Sequence, residues 1–261
     1  MLAAESVPGI EGIALPVLVA GTLLLLLYVA ARIGGRDPLP EGPSPEVPFK
    51  VHEVLLILIG NVMLQVTAFS LVVNLGIATG THARLLSYVG PVGIVLCAHQ
   101  FALKRRKEHG PRLKGALAGV AAWLASYPLV LVTLLAWATL LAEFGTGWQE
   151  QEVLTTLRAD PLTFFLVAVV LAPLVEEVLY RGLLYPTLKR KWGKAVGLLV
   201  SAGLFAILHS HAQTLAALFV LGLVLGHVYE RTGTLAAPMA LHAAFNGFTF
   251  VGAMIERAAG S

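Results

Sequence analysis

Long apolar runs alternate with short charged stretches along the whole chain. Between Glu11 and Arg32 lie 20 uncharged residues, including LLLLLYVAA; 30 separate Glu53 from Arg84, 19 separate Arg84 from Lys104, and 28 separate Lys114 from Glu143. A further run opens at Pro161 and is interrupted by Glu176 and Glu177. Another, of 35 residues, lies between Lys194 and Glu230, and the last follows Arg231 up to Glu256. Backbone N–H and C=O groups in a bilayer must pair within the protein, so each apolar run of about 20 residues predicts a spanning helix. The 35-residue run is too long for one span, and the polar stretch Ser210-His211-Ala212-Gln213 is its natural turn. It yields helices over 195–209 and 212–229 and brings the total to eight. The expected fold is all-α: a polytopic membrane bundle of about eight transmembrane helices.

The distribution of charge tests that count. With eight spans, Arg32, Arg36, Lys50, the cluster Lys104 to Lys114, Lys189, Arg190, Lys191, Lys194 and Arg231 fall on one side, fourteen basic residues against three (Arg84, Arg158, Arg257) on the other. The positive-inside rule makes the basic loops cytoplasmic and puts both termini outside. The cluster at Lys104 to Lys114 reads as a topology determinant facing anionic lipid. The first run is no cleaved signal peptide, because Glu5 and Glu11 precede it without a lysine or arginine and it is too long for an h-region. Residues 32–53 hold five prolines and read as an extended linker. Three regions follow: 1–53, a membrane helix with its Pro-rich linker; 54–160, accessory transmembrane helices; and 161–257, the core that carries the chemistry.

Composition narrows the function classes. Charged residues make up 13% of the chain and hydrophobic ones 57%, where soluble domains carry about 25% charge. A water-soluble enzyme, a disordered protein and a nucleic-acid binder are excluded, and the lipid bilayer is the expected partner. Cys97 is the sole cysteine, which excludes a disulfide framework and a multi-cysteine metal site. The expected location is the cytoplasmic membrane of a bacterium.

Charge at membrane depth costs on the order of 2.5–3.5 kcal/mol and calls for an explanation. Of the acidic residues only Glu176 and Glu177 fall inside a span, and of the basic ones only Arg181, in LAPLVEEVLYRG. Glu177 and Arg181 stand at i and i+4 and form an ion pair on one helix face. Glu176 sits about 100° around the helix and is left over, a second acid beside a satisfied pair. His209 closes GLFAILH with Phe205 one turn before it, and His242 and Asn246 share a face one turn apart. His99 and His227, alone within spans, read as hydrogen-bonded packing histidines, and His211 is the weakest member of the group. Glu176, His209, His242 and Asn246 thus form one candidate constellation on three helices.

EEVLYRG (Glu176 to Gly182), FAILH (Phe205 to His209), VYERTGTLAAPMALH (Val228 to His242) and Asn246 together resemble the signature of the CAAX-processing and bacteriocin-processing intramembrane proteases. This family, also called CPBP or ABI, includes the type II CAAX prenyl endopeptidases. The likeness covers about 161–255, and its motifs leave the first four helices uncovered. It implies endopeptidase chemistry, with Glu176 as the catalytic acid, Glu177 and Arg181 as its accompanying pair, and His209, His242 and Asn246 in the later motifs. It also implies a peptide or membrane-protein substrate, in some branches a prenylated tail.

On these residues, Glu176, desolvated and unpaired, would act as general base on a water shared with His209, while His242 and Asn246 donate to the oxyanion. That mechanism requires no cofactor. A zinc site from Glu176, His209 and His242 is chemically plausible, but it would consume the free acid. Other protease classes fit worse: there is no HExxH, no GxSxG, and the only aspartates, Asp37 and Asp160, lie outside the spans. Two non-proteolytic readings stay open, a non-catalytic immunity or scaffold protein and a proton-coupled transporter.

Overall fold

The computed structural model describes residues 10–36, 39, 47–78, 80–94, 112–145, 160–209 and 211–259. These form α1 (Ile10–Ile33), α2 (Val51–Asn74), α3 (Gly80–Ser87), α4 (Arg112–Glu143), a composite helix, α8 (Leu215–Thr232) and α9 (Ala236–Ala259). The composite helix joins α5 (Pro161–Phe164), a π-helix π1 (Phe165–Leu171), α6 (Ala172–Glu177), a second π-helix π2 (Val178–Leu184) and α7 (Tyr185–Leu208). No strand occurs among the described residues.

Six described helices are long and apolar enough to cross a membrane. One of them, Pro161–Leu208, runs 48 residues and contains two of the expected spans. The chain breaks at Gly193 (φ 84, ψ 169), a backbone conformation that favours glycine, so α7 turns back there. The chain also turns where expected: α7 ends at Leu208 with His209 as its cap, a short 3-10 turn covers Ala212–Thr214, and α8 begins. Trp137 on α4 donates its Nε1–H to the Ala212 carbonyl at 2.7 Å and ties that turn to the bundle. The expected span between Arg84 and Lys104 is described only to residue 94; its remainder, with Cys97, His99 and most of the basic cluster, lies outside the described residues.

Large apolar side chains such as Leu27, Leu56, Val132 and Leu135 are exposed on the outer helix faces, a pattern suited to lipid rather than water. The core lies around π2 and α7, where Leu183, Leu184, Tyr185, Leu188, Phe205, Leu225, Tyr229 and Leu241 are 0–1% exposed. Against it α4 packs on α9, so closely that a Cβ on Gly119 would lie 2.1 Å from the Ala237 carbonyl oxygen. Tyr28 on α1 hydrogen-bonds His227 Nε2 on α8 at 2.8 Å, the packing role expected for that histidine. The linker docks on the core as well: Arg190 donates to the Val47 and Phe49 carbonyls.

Candidate active site

The composite helix owes its irregularity to proline. Pro173 has no N–H to donate, and the Ala172 N–H reaches back five residues to the Val167 carbonyl. The group that would pair the Ala168 carbonyl in this π-helical register is therefore missing. An unpaired carbonyl is costly in lipid, and Asn246 Nδ2 fills the gap at 2.7 Å. Single π-helical segments favour functional sites, and here two of them flank the six residues that end in Glu176-Glu177.

The two glutamates separate as their spacing on the helix requires. Glu177 is 0% exposed and Arg181 1%, and their Oε1 to Nη1 distance is 2.9 Å. Arg181 also donates Nη2 to the Gly222 carbonyl at 3.2 Å, and its guanidinium lies 4.7 Å from the Phe205 ring centroid. A second partner of Glu177 comes from 65 residues away: His242 Nδ1 donates to Oε1 at 2.8 Å. No sequence signal marks that contact.

Glu176 faces the two imidazoles. Its Oε2 lies 3.8 Å from His209 Nε2 and 4.0 Å from His242 Nε2, and it is buried without a hydrogen-bond partner. These separations exceed a direct hydrogen bond and leave room for one water oxygen to bridge the carboxylate to either ring. Both rings are fixed from behind. His209 Nδ1 lies 2.7 Å from the Phe205 carbonyl, and because a carbonyl only accepts, Nδ1 carries the proton. His242 Nδ1 is protonated toward Glu177 for the same reason. The Nε2 atom of each ring is therefore the one left facing Glu176. Phe205, fully buried, packs against both rings with centroids 4.6 and 5.7 Å away.

Glu176, His209 and His242 thus converge. Asn246 follows His242 by one turn, but one of its two amide hydrogens serves the Ala168 carbonyl. His211 has a buried Nδ1 without a hydrogen-bond partner and forms no hydrogen bond or ion pair with the three. Side chain by side chain, the donor set of two Nε2 atoms and a carboxylate is one that catalytic zinc accepts, with each Nδ1–H anchored as in zinc ligands. As placed, however, no group of three or more His, Cys, Asp and Glu among the described residues is arranged to hold a metal ion.

The fold and the site define an integral membrane protein, an all-α helical bundle with a partly buried carboxylate–imidazole cluster. Residues 158–248 match the family model described as type II CAAX prenyl endopeptidase, Rce1-like, the family that the motifs resemble. An Escherichia coli protein named "Uncharacterized 24.3 kDa protein" is 36% identical over 88 residues, 32% of this chain and 41% of its own length. The Bacillus subtilis (strain 168) protein named "Putative membrane peptidase YdiL" is 26% identical over 111 residues, 41% of this chain and 45% of its own. The chain thus spans less than half the length of these relatives. No solved structure matches it.

Proposed function

We propose that this chain is an intramembrane endopeptidase, hydrolysing a peptide bond near the membrane with a water held between Glu176 and the two imidazoles. The observation that carries this reading is the unpartnered Glu176 Oε2 at 3.8 and 4.0 Å from two Nε2 atoms whose rings are locked by their Nδ1 hydrogen bonds. Glu176 takes the proton as the water oxygen attacks the carbonyl carbon, and His209 orients that water. His242, backed by the Glu177 carboxylate much as a triad histidine is backed by its aspartate, is suited to carry a second proton at Nε2 and donate it in a hydrogen bond to the oxyanion, while the proton that Glu176 took from the water passes to the leaving amine. The second amide hydrogen of Asn246 remains for the oxyanion, where one such donor commonly contributes about 10²–10³ in rate.

The substrate class follows the family match: a membrane-associated peptide, a membrane protein or a prenylated tail. The family match starts at 158, and residues 161–257 carry every member of the site, which supports a catalytic core with the 1–53 and 54–160 regions accessory to it. The basic ends of the helices face the cytoplasm in this reading. It requires no cofactor. Zinc is the second reading, favoured by the anchored Nδ1–H groups; Glu176, His209 and His242 would be its ligands, and it would supply a Lewis acid. Retention of cleavage after exhaustive chelation separates the two.

Comparing peptide termini in membranes that contain wild type or Glu176→Gln tests the proposal. New termini present with wild type and absent from the variant at equal protein level support it. Identical termini refute it, and loss of proton-driven flux in their place would turn the site into a transporter relay.

A further inference from the structure

The hairpin that carries His209 ends at the level of the site, while its neighbours do not. From the break at Gly193, α7 rises to Leu208, His209 caps it, and α8 starts back at Leu215. An ion pair of 2.6 Å between Lys189 and Glu230 sets the far end of α8 beside the basic turn at Lys189 to Lys194. The contacts of Glu176 with His209 and His242, at 3.8 and 4.0 Å, mark a common level for three helices. Away from the basic turn, the composite helix continues past that level to Pro161, roughly 20 Å by helical rise, and α9 continues to Ala259, roughly 25 Å. The same holds for α4, whose first turns pack beside Thr234. Its Trp137 bonds the Ala212 carbonyl at 2.7 Å, and the helix runs roughly 9 Å further to Glu143. The turn between α7 and α8 is therefore the floor of a recess, with three helices rising past it.

Burial divides at the same level. Toward the basic turn all seven residues of π2 are buried, and Leu225 and Tyr229 on α8 are 0% exposed. Toward the other face no residue of π1 is buried. Glu176 and His209 still keep 23% and 31% of their side-chain surface, and Ala212 in the turn is exposed. With the basic side sealed, the opening that exposes them lies on the opposite side. Lipid is a poor filling for it, because irregular backbone and ionisable side chains occur at membrane depth where protein buries them or water reaches them. The floor is polar as well, with His209, His211 and Gln213 alternating along it.

We propose that the site opens through this wet recess, on the membrane face opposite the basic helix ends, and takes its substrate from there. The distribution of basic residues assigns those ends to the cytoplasm. The substrate class is then a polypeptide on the outer side, an exported peptide or the outer end of a membrane segment, and not a tail held at the cytoplasmic face. The substrate assignment rests on the hydrolytic reading of Glu176; the direction of opening does not.

The test uses the full chain with its sole cysteine, Cys97, replaced by serine, in right-side-out and inverted membrane vesicles. The probe is a charged maleimide, which lipid excludes. Ala212→Cys should label about tenfold or more faster in right-side-out vesicles than in inverted ones, because a charge pays heavily to enter an apolar medium. Lys191→Cys, on the basic turn, should show the reverse. Labelling of Ala212→Cys from the same side as Lys191→Cys, or from neither side, overturns the proposal, and Thr214→Cys decides in the same way if Ala212→Cys fails to fold. Exchange of both labels between the two vesicle types overturns the outer side as the source of substrate. Peptide termini that depend on Glu176 should lie on outer segments; their confinement to cytoplasmic segments overturns the substrate assignment. Termini unchanged by Glu176→Gln overturn the hydrolytic reading and the substrate assignment with it, while the labelling still decides the direction of opening.

Discussion

Replacing Arg181 by methionine keeps much of its length and removes its charge, and the structure sets the cost. The guanidinium is 1% exposed and holds three things at once: Glu177 Oε1 at 2.9 Å, the Gly222 carbonyl at 3.2 Å and the face of Phe205 at 4.7 Å. The variant leaves a fully buried carboxylate whose sole remaining partner is the His242 Nδ1–H. Removing one member of a buried pair costs about 3–5 kcal/mol, a large part of the roughly 5–15 kcal/mol by which folded proteins are stable. Folded yield in detergent, read by size-exclusion chromatography and thermal melting, should fall severely. Adding Glu177→Gln removes the orphaned charge, and because loss of both partners is far less costly than loss of one, the double variant should recover much of that yield. It should not recover activity, because a neutral amide holds His242 more weakly than the carboxylate does. Wild-type melting of Arg181→Met, or a double variant less stable than the single, would refute this assignment of the pair.

Further expectations follow from individual contacts. His209→Gln should abolish cleavage with little change in melting, since the ring sits at the C-terminal end of α7 with a side chain 31% exposed; a comparable loss of folded yield would make it structural. Asn246→Leu should destabilise the protein by about 1–3 kcal/mol, the cost of leaving the Ala168 carbonyl unpaired, and equilibrium unfolding of the purified protein measures it. Gly119→Leu should separate α4 from α9, because even a Cβ there meets the Ala237 carbonyl at 2.1 Å; disulfide cross-linking of cysteines placed on the two helices would report whether the approach persists.

The alternation of charge and apolar runs made the bundle and most of its spans legible, because lipid imposes length and neutrality on each helix. The split between Glu176 and Glu177 was legible for a similar reason: a helix turns about 100° per residue, so adjacent acids cannot share one arginine equally. Other features had no local trace. The bond from Glu177 to His242 crosses 65 positions, and it gives the expected ion pair a second duty in orienting an imidazole. Asn246 was expected to donate to the oxyanion, but Pro173 leaves the Ala168 carbonyl without its backbone donor, and that carbonyl takes one of the two amide hydrogens. The proline was visible in the sequence, yet only the π-helical register shows which carbonyl it orphans.

The rate of peptide cleavage per folded molecule, wild type against Glu176→Gln in proteoliposomes, bears most directly on the central claim. Removing a general base that acts on the attacking water should cost about 10²–10⁴ in kcat at unchanged folded yield. A variant that folds and cleaves as fast as wild type would show that the carboxylate between the two imidazoles is not the group that activates water.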